Sequence, residues 1–152
     1  MIGGADKFSM RGNATISSNS ATGEGGGVYH TRASYQSSAA YVDLEDYAAV
    51  KNNTATQGAG LYFFRTVEVR LTDEATIKDN TAANEGGGIF FYTDPNTLTL
   101  SGTSSITSNS ASGGGGVWVD AQNPLTGTGY TSSGISGNTP DQCQDMSGAC
   151  SF

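Results

Sequence analysis

The sequence predicts an all-β protein: a right-handed parallel β-helix (solenoid) of about 4–5 coils, each with three short strands. Three observations predict it. Five segments built on one asparagine recur along the chain: TISSNSA from Thr15, AVKNNTA from Ala49, TIKDNTA from Thr76, SITSNSA from Ser105 and GISGNTP from Gly134. Apolar residues precede each of the first four at matching distances. A glycine run and a short apolar strand follow each of those four.

The anchoring residues are Asn19, Asn53, Asn80, Asn109 and Asn138, spaced 34, 27, 29 and 29 residues apart. Three residues before each stands Ile16, Val50, Ile77, Ile106 or Ile135. Nine residues before the first four stand Met10, Leu44, Leu71 and Leu100, and two further back Phe8, Val42, Val69 and Leu98. VEVRLTD and LTLSG alternate with a period of two, the pattern of strands with one buried face. After the glycines come VYH, LYFF, IFFY and VWV. A unit this short cannot bury its own apolar side, but stacked units can. Each strand then pairs with its equivalent one coil away, and equal residues form columns. The aliphatic column belongs inside. The asparagines form a ladder at a corner, where stacked amides hydrogen-bond along the axis. The longer first spacing places a bulging loop at 31–40. The fifth unit is degenerate, with Gly127 and Gly129 in the upstream apolar columns. Propeller blades need longer units, and the L-x-x-L-x-L pattern of leucine-rich repeats is missing.

These motifs resemble the G-G-A-[ILV] and F-x-x-N repeats of chlamydial polymorphic outer membrane proteins, which also occur in secreted bacterial and algal proteins. The glycine motif reads GGGV at 25–28, GAGL at 58–61, GGGI at 86–89 and GGGV at 114–117. The second reads Ile16-Ser-Ser-Asn19, Val50-Lys-Asn-Asn53, Ile77-Lys-Asp-Asn80 and Ile106-Thr-Ser-Asn109, with Ile or Val replacing the family's Phe. The resemblance runs from about residue 8 to about 140 and implies a right-handed β-helix with a surface-exposed, adhesive or structural role. It carries no catalytic residue. The C-terminal autotransporter barrel of the chlamydial proteins has no counterpart in this sequence.

Residues 1–142 are expected to form one β-helix domain and 143–152 a tail. GGA at 3–5 is followed almost at once by Phe8, so the first coil is truncated and the chain reads as a portion of something longer. The opening MIGGADKFSM has neither the basic nor the apolar region of a secretory leader. Cys143 and Cys150 are either two free thiols or a local disulfide, and the second fits an extracellular protein. Asn13 and Asn52 begin N-glycosylation sequons. Together these features point to an extracellular or cell-surface location.

The net charge is −7, which argues against nucleic acid as a partner. No apolar run is long enough to span a membrane as a helix. No cofactor is implied. Acidic residues are spread out; Asp46 and Asp73 share a column beside Glu45 and Glu74, read as a solvated edge with a weak calcium site as the alternative. His30 aligns with Phe63, Phe91 and Val119 and is expected to face inward. No nucleophile constellation stands out. Between the inward columns of the third strand lie Tyr29, Tyr62, Phe90 and Trp118. If their neighbours point in, these four point out and form an exposed aromatic strip. Its partners would be other protein subunits, other copies of the chain (as in a filament), or glycans and polysaccharide. An inverted parity, or a segment folded over the strip, would leave it covered. Ice binding wants a flat Thr/Ser face, and Lys51 and Lys78 interrupt the column Ser17, Thr107, Ser136. The sequence therefore points to a non-catalytic structural or adhesive module, with a carbohydrate-binding or carbohydrate-active β-helix as the alternative.

Overall fold

The computed structural model describes residues 6–31, 40–92, 95–120, 125–129 and 134–145. Its strands lie in three five-stranded parallel sheets and one two-stranded sheet, with no helix among the described residues. The first sheet holds Lys7–Met10, Ala40–Leu44, Val67–Leu71, Thr97–Leu100 and Thr126–Thr128. The second holds Thr15–Ser17, Ala49–Lys51, Thr76–Lys78, Ser105–Thr107 and Ile135–Ser136. The third holds Val28–His30, Leu61–Phe63, Ile89–Phe91, Val117–Val119 and Cys143–Asp145. Each strand pairs with its equivalent in the neighbouring repeat, which makes a parallel β-solenoid.

The pairing register reproduces the sequence columns. Ile16 pairs with Val50, Val50 with Ile77, Ile77 with Ile106, and Ile106 with Ile135. Leu44, Leu71 and Leu100 stack on Met10 in the same way. These side chains, with Val42, Val69, Leu98, Ile89 and Phe91, form one continuous core. Leu98 pairs with Gly127, where that ladder loses its side chain. The third sheet runs on through Cys143–Asp145, so the solenoid continues past residue 142, into the segment expected to be a tail. CQD has no apolar alternation, and its place comes from pairing with Val117–Val119. Cys150 and the loop at 32–39 lie outside the described residues.

Each coil turns three corners, and each corner is built on one residue of positive φ. The first column is Gly12, Asp46, Asp73 and Gly102; the second is Ser18, Asn52, Asp79, Ser108 and Gly137; the third is Gly25, Gly58, Gly86 and Gly114. Gly, Asn and Asp tolerate this left-handed region best. At the third corner only glycine serves. A Cβ on Gly86 would lie 2.8 Å from the Phe90 Cβ, at a φ of 66°. Gly88 is needed for a different reason: its Cβ would lie 2.5 Å from the Gly116 carbonyl oxygen of the next coil.

The asparagine ladder follows the second corner. The backbone N–H and Nδ2 of Asn53 both donate to Asn80 Oδ1, each at 3.0 Å. Asn53 Nδ2 also donates to the Ile16 carbonyl at 3.2 Å. Asn80 and Asn109 repeat the same set one and two coils on. Two donors and two accepted bonds therefore satisfy an amide that is fully buried at Asn53 and Asn80.

Replacing Asn80 by Ala would strand the two Asn53 donors without an acceptor. We expect Asn80→Ala to lose about 3 kcal/mol or more by urea denaturation, against about 1 kcal/mol or less for Asn19→Ala at the exposed end of the ladder.

Candidate interface: the outer face of the third sheet

In the third-sheet strands Leu61–Phe63, Ile89–Phe91 and Val117–Val119 the first and third residues enter the core, so the second must leave it. Ile89 and Phe91 belong to the core cluster, and Phe90 does not. Tyr29, Tyr62, Phe90 and Trp118 pair in register as the outward column. Tyr29 and Tyr62 stack at 5.3 Å and 13°, and Tyr62 and Phe90 at 5.0 Å and 13°. Coil stacking sets this spacing, so the ring planes lie across the solenoid axis and the rings cover each other's faces.

The expected strip of four exposed rings is corrected here. Tyr29 is 49% exposed, but Tyr62 and Phe90 are only 4% and 1% exposed. Trp118 is intermediate. One cause is a second aromatic column that the sequence reading missed. Phe64 and Tyr92 lie two residues beyond Tyr62 and Phe90, on the same outward parity. They stack at 4.8 Å, and Tyr92 packs 6.4 Å from Phe90. The signal was present in LYFF and IFFY, but the column reads Thr31, Phe64, Tyr92, Asp120 and is not uniform. The result is a two-column aromatic platform with Tyr29 and Tyr92 at its surface.

Carboxylates rim this platform. Glu24 pairs through its backbone with Gln57 in the neighbouring coil, and Gln57 Nε2 donates to Glu85 Oε2 at 2.7 Å. Asp120 stands beyond Tyr92, its N–H donating to the Phe91 carbonyl at 2.8 Å. Burial, then the charge of Glu24, pushes the Tyr62 hydroxyl up to about 12. Burial, then Glu85, raises the Asp120 carboxyl above its usual range.

Several of the other acids have structural partners. Asp46 Oδ2 accepts the Gly12 N–H at 2.8 Å, and Asp73 Oδ2 accepts the Asp46 N–H at 3.3 Å. Their shared column is thus a first-corner turn ladder rather than a convergent metal site. Among the described residues no group of three His, Cys, Asp or Glu is placed to hold a metal ion. Glu45 pairs with Arg11, Asp43 with Lys7, and Glu68 with Arg70. Asp94 lies outside the described residues. His30 pairs in register with Phe63, its ring 6.1 Å away, on the core parity. A cleft of about 380 Å³ opens beside Leu100, Ser104, Gly129 and Gly134, where the fifth level has lost its large side chains. Among the described residues that line it there is no titratable group. Asn13 and Asn52 are exposed, and so are Thr15 and Thr54 of their sequons.

A family model described as the Chlamydia polymorphic membrane protein repeat matches residues 13–31 and 74–92. The two windows are in register: each runs from the first corner through the ladder asparagine and the triple glycine to the aromatic strand. No curated protein and no solved structure matches the chain. The chain thus carries polymorphic membrane protein-type repeats folded as a parallel β-helix.

Tyr62 should titrate above the ordinary tyrosine value. Its folded value lies above the ordinary 10.0, so its contribution to stability is complete below about pH 10 and is lost as pH rises towards about 12. Phenolate absorbance should show a late component that Tyr62→Phe removes; a single transition near the ordinary value in folded protein would refute this. Asp120 obeys the same sign: its contribution is present at low pH and lost as pH rises through its raised value. The stability of Asp120→Asn relative to the parent should therefore increase in denaturation curves as pH rises above the ordinary carboxylate value of 3.8.

Proposed function

We propose that this chain is a non-catalytic module of a cell-surface protein that works by contact, through the outer face of its third sheet. The observation that carries the reading is the aromatic platform edged by Glu24, Glu85 and Asp120. Exposed aromatic area with a charged rim is the usual composition of a protein interface. The partner it suits is a protein surface with an apolar centre and a basic rim. The net charge of −7 favours the same complement.

Surface location is supported by the in-register membrane-protein repeats. Cys143 is disulfide-bonded, which suits an oxidising compartment, and Cys150 is the only other cysteine in the sequence. The exposed sequons at Asn13 and Asn52 suit glycan attachment in the same setting. Engagement of the Asp46 and Asp73 carboxylates by backbone amides supports the absence of catalysis. A glycan-binding reading keeps one supporting observation, the open ring of Tyr29. Most ring faces in its column are already covered by neighbouring rings, so a polysaccharide laid along the column would meet edges and gain little stacking.

Beads coated with the chain should adhere to cell surfaces. Tyr92→Ala combined with Trp118→Ala should weaken adhesion at least about 10-fold, and added salt should weaken it further. Adhesion indifferent to both replacements would remove the platform from consideration. Cleavage of any polysaccharide by the purified chain would overturn the non-catalytic half of the proposal.

A further inference from the structure

The asparagine ladder has a direction, and its two ends differ. At every level the asparagine donates its N–H and Nδ2 towards the following coil. At Asn138 the acceptor is no longer an asparagine. Gln142 Oε1 takes both bonds, from the backbone N at 3.0 Å and from Nδ2 at 2.9 Å. Gln142 Nε2 turns back to the Asn138 carbonyl at 3.2 Å. The donor end of the ladder is therefore closed by a side chain four residues on.

The opposite end is open. Asn19 gives its N–H and Nδ2 to Asn53 Oδ1, each at 3.0 Å. Its own Oδ1 accepts no bond among the described residues, and Asn19 is exposed. Tyr29, in the same coil, stacks one ring face on Tyr62 and is half exposed. Two positions are thus vacant in the columns of one end: an acceptor that elsewhere takes two donors, and a ring face that elsewhere meets another ring.

We propose that the end bearing Asn19 and Tyr29 can accept one further coil of the same repeat through these two columns, and that the Gln142 cap bars the same addition at the other end. The incoming coil must offer an asparagine N–H and carboxamide to Asn19 Oδ1 and an aromatic ring to Tyr29. A second copy docked head to tail does not fit, because its Asn138 donors are already held by Gln142. The proposal concerns the axial end and does not depend on the lateral contact proposed above.

The test extends the full chain. A copy of residues 68–96 replaces the residues before Lys7, which puts the copied Asn80 and Phe90 in the Asn19 and Tyr29 columns. The extended chain should melt at a higher temperature than the parent, and the Asn19 amide should exchange at least about 10-fold more slowly. Asn→Ala at the ladder position of the added copy should cancel most of both gains. The same copy joined after Phe152 should raise neither stability nor protection of the Asn138 amide. In the Gln142→Ala background, which should itself be less stable than the parent, that C-terminal copy should become stabilising. Equal gains at the two ends, or an N-terminal copy that leaves the Asn19 amide unprotected, would overturn the proposal.

Discussion

A buried carboxamide with all its hydrogen bonds made is the constraint on which this solenoid depends. Asn80 sits at zero exposure and survives there because four groups in the two neighbouring coils meet its side-chain polar atoms. None of those partners is near it in sequence. Asn53, Asn80 and Asn109 are satisfied only when the neighbouring ladder asparagines on both sides are in place and in register. A slip by one residue would break this set and also turn the Ile77 column away from the core. The ladder therefore does two jobs: it holds a tight corner, and it fixes the register of the strands on either side.

The corners explain the unusual composition. Three positive-φ positions in each regular coil call repeatedly for Gly, Asn, Asp or Ser, and the columns contain those residues. What reads as a low-complexity sequence is thus a regular demand for left-handed backbone. The same demand accounts for Asp46 and Asp73. They share a corner column with Gly12 and Gly102, and their carboxylates reach backbone amides of adjacent turns where a glycine has nothing to offer. An acidic pair in one column is the natural outcome of that geometry and needs no ligand to explain it.

The columns were legible because stacking forces equal residues onto equal positions. The Asn, Ile/Val and Leu ladders could be read from spacing alone, whereas the outward parity of Tyr29, Tyr62, Phe90 and Trp118 held only on the condition that their neighbours point in. Their exposure could not be read. Whether an outward ring is covered depends on what stands beside it in the same sheet, and Phe64 and Tyr92 belong to a column that also holds Thr31 and Asp120. A column that changes character from coil to coil leaves no periodic signal. Gln142 escaped for a related reason. A cap occurs once, so repetition cannot point to it; only the question of what satisfies Asn138 leads there.

Ring stacking along the axis also settles what the aromatic face can offer. A ring that lies across the axis spends its faces on its neighbours and presents its edge outward. Tyr62 and Phe90 are consumed this way, which is why they are buried without belonging to the core. Edges and hydroxyls give a partner apolar contact and hydrogen bonds, but little of the flat surface that sugar rings seek. The raised Tyr62 hydroxyl has the same origin: its proton is held by burial within the platform and by the carboxylates around it. The lateral contact proposed above would therefore use ring edges and the charged rim, while ring faces become available only where the column ends. The two proposed contacts would thus separate in space, one at the rim and one at Asn19 and Tyr29.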